Sequence, residues 1–235
     1  MKALRSNSAV KYLLYAVGEI ALVVVGILIA LAINNKNEVA KTQNQLEGIL
    51  KNVRYDLELD TLRVGQAIKY YESREEVVKK ILNKEYSKED YKTCILCGSL
   101  VTTYVPISLN DKGYNQLKGF VENSKQKDSL AVGIVQMYNG FFTLIGEISG
   151  NVKENTFQTL ELWRDTQPWF ADIMTNTPSP AYLNYISEST DYRNRVAYFN
   201  IIACQNLLPL LRMYKENAAE TIDKLNSRLE EVSQK

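Results

Sequence analysis

Histidine does not occur among the 235 residues. Its absence removes Ser-His-Asp and Cys-His nucleophile systems, His-ligated zinc sites and any imidazole acid or base working near neutral pH. Charge of one sign is not in excess either. The 28 Lys and Arg stand against 27 Asp and Glu, a net charge of +1, so no global field exists to hold a nucleic acid or steer an anionic substrate. No cofactor, metal ligand set or catalytic residue is legible, and the composition points away from an enzyme. What is present is an uneven distribution of apolar residues over a chain long enough for one or two domains, at about 150 residues per domain.

The run Tyr12 to Ile33 is 22 residues long and holds one charge, Glu19. At about 1.5 Å per residue a helix of that length crosses a hydrocarbon core of about 30 Å. Later apolar stretches, Leu130 to Ile148 and Ile201 to Leu211, are shorter, interrupted or one-faced, so a single span is expected. Lys2, Arg5 and Lys11 precede it with no acid among them, whereas Lys36 and Lys41 are offset by Glu38 and Glu47 beyond it. The positive-inside bias places the N-terminus in the cytoplasm and the remainder outside, in the periplasm of a Gram-negative cell. A cleaved secretory signal is the competing reading, and Ala30-Leu31-Ala32 resembles its cleavage site. The apolar run exceeds the usual core of about 7 to 15 residues and contains a carboxylate, which favours an uncleaved anchor.

Glu19 lies about 10 Å into the span by helical rise, where an acid costs about 2.5 to 3.5 kcal/mol. Gly18, Leu22, Gly26 and Ala30 recur at four-residue intervals beside it, and three of the four are small enough for close helix approach. Helix association within the membrane, a lone structural acid and a proton-conducting role are the three readings, the first favoured. The partner is then an integral membrane protein or a second copy of the chain, with membrane lipid around both.

The rest reads as helices. From Glu38 to Lys84 apolar residues return at steps of three and four: Leu46, Leu50, Val53, Leu57, Val64, Ala67, Tyr71, Val78 and Ile81. This seam predicts a long stalk helix, interrupted at Asp60 and Arg74, that leaves the membrane with a slight break at Asn34-Asn35. Ser87 and Asp90 form a helix start. Asn110 or Asp111 should cap a short helix to about Val121 with Gly113 in its first turn, residues 122–128 form a loop, and a second long helix runs from Ser129 to about Thr166. Gly146 and Gly150 permit a bend or close packing there. Trp163, Trp169 and Phe170 around Pro168 form either core or a ligand-facing pocket or interface. Asn176 to Pro180 punctuates the chain. A last seam follows at Cys204, Leu207, Leu211, Tyr214, Ala218, Leu225 and Val232, in a helix that Pro209 should kink or break. The expected fold is all-α: a cytoplasmic tail 1–11, a transmembrane helix 12–33, a stalk 34–84, a helical head 85–200 and a C-terminal amphipathic helix 201–235. Pairing of the two seams makes an antiparallel helical bundle and returns Lys235 toward the membrane.

Cys94-Ile95-Leu96-Cys97 is a C-x-x-C, with Cys204 the remaining thiol. An exterior compartment permits a disulfide between Cys94 and Cys97. Buried reduced cysteines are the alternative, and redox catalysis lacks the βαβ frame it would need.

Two strings carry a family resemblance. Lys11-Tyr12-Leu13-Leu14-Tyr15-Ala16-Val17-Gly18-Glu19-Ile20, continuing through Val23 to Leu31 and on to Ile33-Asn34-Asn35 and Asn37-Glu38, resembles the Bacteroidota single-span membrane proteins known only as a domain of unknown function. Ser108-Leu109-Asn110-Asp111-Lys112-Gly113-Tyr114-Asn115-Gln116-Leu117 resembles that family's internal motif. Lys36 stands where such proteins often have a tryptophan. The resemblance implies an inner-membrane envelope protein and carries over no catalytic residues. The expected function is a non-enzymatic, membrane-anchored accessory or scaffold subunit of an inner-membrane and periplasmic complex. Eleven cytoplasmic residues are too few for an effector domain. The alternatives are a periplasmic ligand-sensing module using Trp163 to Phe170, and a thiol-disulfide protein using Cys94 and Cys97.

Overall fold

A computed structural model describes residues 6–124 and 127–233, with side chains over 10–124 and 127–231. Lys2, Arg5, Val232 and Lys235 lie outside the described side chains. Among the described residues every regular element is helical: α1 Ser6–Leu82, α2 Lys88–Thr93, α3 Ile95–Ser99, α4 Lys112–Asn123, α5 Ser129–Thr166, α6 Phe170–Met174, α7 Pro180–Glu188, α8 Thr190–Phe199, a π-helical segment Asn200–Leu207, and α9 Leu208–Ser233. The chain forms two compact units, Met1–Gly48 and Ile49–Lys235.

Within the first unit, α1 is helical through Asn34 and Asn35, so the break expected there does not occur. Neither residue removes a backbone donor as proline would, and the helix-propensity cost of an asparagine is below about 0.7 kcal/mol. Every side chain from Val10 to Thr42 is exposed. This long, apolar N-terminal helix has the length and composition of a membrane anchor or a signal sequence. Helix α5 passes the same test of length and composition, yet it buries Ala131, Ile134, Tyr138, Ile145, Val152 and Trp163 among its neighbours.

The second unit closes around the two seams read from the sequence. Leu50, Val53, Leu57, Val64, Ala67, Tyr71, Val78 and Ile81 on α1 are buried, as are Cys204, Leu207, Leu211, Tyr214, Ala218 and Leu225. Contacts between them run in opposite sequence order: Arg54 donates to Asn226 at 3.1 Å, Tyr214 to Asp60 at 3.0 Å, and Arg212 to Glu72 at 2.8 Å. Burial also pushes the Tyr71 hydroxyl and the Cys204 thiol each up to about 12, so Cys204 is an inert packing residue.

Local chemistry sets the ends. Helix α1 stops where Lys84 takes a left-handed φ of 59° and Glu85 N–H reaches back to Lys80 O, a Schellman-type end. Ser87 and Asp90 complete a reciprocal capping box on α2. Asp128 caps α5 through Ala131 N–H, and Pro180 occupies the first turn of α7. Gly146 and Gly150 lie inside the unbroken helix α5 and admit no close neighbour, since a Cβ at either meets nothing within 4 Å. Pro209 does not break its helix. The preceding turn widens instead, with Leu208 N–H donating to Ala203 O, five residues back, which relieves the clash a proline ring makes with the carbonyl one α-turn earlier.

Candidate functional site

Three groups of residues are candidates, and they differ in how much the fold supports them. On α1, Gly18, Glu19, Leu22, Gly26 and Ala30 are exposed; a Cβ at Gly18 or Gly26 meets nothing within 4 Å, and Leu22 is 76% accessible. A shallow groove lined by Ala16, Glu19, Ile20, Val23 and Val24 runs beside them. Among the described residues no hydrogen bond or ion pair reaches the Glu19 carboxylate.

The second group resolves the polar interruption in the α1 seam. Asp56 and Asp60, one turn apart on the buried face, grip the start of α4. Asp60, fully buried, accepts Asn110 N–H at 3.1 Å on both oxygens, Asn110 Nδ2 at 2.6 Å and the Tyr214 hydroxyl at 3.0 Å. Asp56 Oδ2 accepts Gly113 N–H at 2.7 Å. Asp111 holds the N-cap position of α4, but its own side chain makes no cap bond. The orphan amide of Gly113 in the first turn, and the Asn110 amide just before the cap, are met by acids 57 and 50 residues away. Gly113 lies so close that a Cβ there would sit 2.8 Å from both N and Cα of Val53. Beside the clamp, Tyr114, Tyr138 and Phe142 stack with centroids 5.2 to 5.4 Å apart. Arg74, the other interruption, folds over the Tyr70 ring at 3.3 Å and donates to Tyr70 O.

The third group joins two motifs that the sequence kept apart. Cys94 and Cys97 form a disulfide, with Cα atoms 5.3 Å apart, and Cys204 remains a free, buried thiol. Tyr192 donates its hydroxyl to Cys97 O, and Tyr182 donates to Gly98 O at 3.0 Å. Those tyrosines belong to a cluster with Trp163, Trp169 and Tyr185, ring centroids 4.9 to 6.1 Å apart. Trp163 and Trp169 are buried, whereas Phe170 is half-buried. Trp163 Nε1 donates to the Tyr185 hydroxyl at 3.0 Å, and that hydroxyl donates to Asp191, which Arg195 holds in turn. Burial, with Asp191 adding to it, pushes the Tyr185 hydroxyl up to about 12. The two indoles thus face other rings.

Apart from Ala16, Gly18 and Tyr214, the first two groups lie with the disulfide in the segment that comparison with known proteins recognises. A family of unknown function, DUF6090, matches residues 19–147, more than half of the 235-residue chain. The chain belongs to that family. Neither a curated protein nor a solved structure matches it. The DUF6090 match takes in Glu19, Asp56, Asp60, Cys94, Cys97, Asn110 and Gly113, and ends before Trp163.

Within this DUF6090 member the clamp has a definite pH signature. Burial raises Asp60 above its ordinary value of 3.8, with Asp56 adding to the rise, against the lowering hydrogen bonds from Asn110 and Tyr214. A carboxyl whose folded pKa is raised contributes stability that is complete below 3.8 and is lost as pH climbs through the raised value. Urea unfolding of wild type and Asp60→Asn from pH 3.5 to pH 7 should therefore show wild type losing ground to the variant as pH rises. Drift in the other direction would mean that Asp60 is held ionised by its donors and not destabilised by burial. In the sequence Asp60 stands as an interruption of the seam, because its partners lie 50 and 154 residues away. The string Ser108 to Leu117 was the only indication that this region mattered.

Proposed function

We propose that the chain is a non-enzymatic, single-span subunit that serves as accessory or scaffold in an inner-membrane and periplasmic complex. Its N-terminus lies in the cytoplasm, and residues 49–235 form an antiparallel helical bundle outside. The observation that carries this reading is the exposed apolar surface of α1 from Tyr12 to Ile33 with Glu19 set in it. Lipid satisfies the apolar side chains and not the acid, whose burial in hydrocarbon costs about 2.5 to 3.5 kcal/mol. A hydrogen-bond donor from a neighbouring span, approaching over Gly18, Gly26 and Ala30, would remove that cost. The opposite sequence order of the contacts between α1 and α9 supports the antiparallel arrangement. Mutual packing of Trp163 and Trp169 with the tyrosines favours a structural role for that region over ligand sensing.

Purification of the tagged full chain in mild detergent, followed by size measurement and identification of associated integral membrane chains, tests the proposal. The wild type is expected in an assembly larger than a monomer, and Glu19→Leu should release it while still inserting, since leucine enters the membrane more readily than glutamate. A solitary monomer in both cases would falsify the reading.

A further inference from the structure

We infer that Cys94–Cys97 is a thiol-disulfide exchange site for an external dithiol, with Cys94 the sulfur that is attacked and Cys97 the one that leaves. The assignment is independent of the membrane reading and rests on the unequal surroundings of the two sulfurs. Cys97 is fully buried, and its carbonyl is held by Tyr192. Cys94 is half-buried at the corner between α2 and α3, and Ile95 beside it is 90% exposed. An incoming thiolate therefore has access to one sulfur only. The backbone supplies a second asymmetry: Cys97 N–H donates to Cys94 Sγ at 3.1 Å. Once the pair is reduced, that donor favours the thiolate of Cys94 over its thiol, whereas burial disfavours a thiolate at Cys97.

The step balances as follows. A thiolate of the dithiol forms a bond to Cys94 Sγ, the Cys94–Cys97 bond breaks, and Cys97 leaves with the electron pair and takes up the proton of the reagent's second thiol. The thiolate so formed attacks its own sulfur in the mixed disulfide, closing a ring and releasing the Cys94 thiolate, which takes a proton from solvent. The dithiol loses two electrons and the protein gains two. The hydrogen bonds from Tyr182 and Tyr192 go to carbonyls, so they survive the reaction and keep the corner in place.

The test uses the full chain in detergent, first equilibrated with oxidised glutathione. Mass spectrometry should find Cys94 and Cys97 joined, and dithiothreitol should open the pair without loss of helical circular dichroism. In Cys97→Ser, iodoacetamide should alkylate Cys94 at least about tenfold faster than it alkylates Cys97 in Cys94→Ser at equal helical content, reflecting exposure and thiolate fraction. A pair that never forms, reduction only in denaturant, or equal or reversed alkylation rates would each overturn the assignment. If either variant fails to fold, limiting glutathione on the wild type decides instead: a mixed disulfide on Cys94 supports the assignment and one on Cys97 overturns it.

Discussion

Gly113→Ala is expected to destabilise the 49–235 unit by about 3 kcal/mol, although the same exchange inside an exposed helix stabilises by about 1 kcal/mol. The sign reverses because the new methyl group would lie 2.8 Å from Val53 N, 2.8 Å from Val53 Cα and 2.9 Å from Asp56 Oδ2. Backbone of a long helix cannot step aside as a lysine tip can, so α4 must retreat. Its retreat stretches the Gly113 N–H bond to Asp56, and hydrogen bonds to charged groups contribute about 1.5 to 3 kcal/mol. Gly119, two turns on in the same helix, is the control: a Cβ there meets nothing within 4 Å. Thermal unfolding of the full chain in detergent, followed by circular dichroism, should show a midpoint lower by about 10 °C for Gly113→Ala and unchanged or higher for Gly119→Ala. Equal effects at the two glycines would mean that the grip of α1 on α4 is loose.

Trp163→Ala should have a comparable or larger effect, about 3 to 5 kcal/mol, the range for emptying a buried indole site. Trp163 is fully buried, edge-on to Trp169, Tyr182 and Tyr185, and satisfied at its nitrogen by Tyr185. Trp163→Phe separates shape from polarity: most of the ring contact stays, the N–H donor goes, and the loss should fall to about 1 to 2 kcal/mol. Tyr185 would still donate to Asp191, so no buried hydroxyl is stranded. Urea unfolding reads both, with a shifted midpoint and an unchanged slope as the expected pattern. A Trp163→Ala chain as stable as wild type would show that the ring cluster is an open surface.

Periodicity alone placed the apolar seams, because a helix face repeats every few residues and needs no knowledge of its partner. The polar positions on those seams were opaque for the opposite reason. Asp60 and Asp56 make sense only through Asn110, Gly113 and Tyr214, and nothing local to residues 56–60 encodes that meeting. The same holds for the cysteines. Their spacing was visible, but Tyr182 and Tyr192, which fasten the disulfide turn to the indoles, sit some ninety residues further along the chain. Glu19 was conspicuous in the sequence because its setting is local, an acid within an apolar run.

The π-helical segment has a consequence for chain length. The buried residues Tyr192, Val196, Phe199, Ala203, Leu207, Leu211 and Tyr214 follow at steps of four, three, four, four, four and three. Alternation of four and three, which keeps a stripe straight, is overrun by one residue across Asn200–Leu207, and the wide turn takes up the surplus. Packing before and after the turn keeps one azimuth. Shedding a residue here would restore α geometry without turning the later side chains away from α1, at the cost of bringing back the clash of the Pro209 ring with the carbonyl one turn earlier. A deletion in the uniform helix after Met213 would rotate every residue beyond it by about 100°.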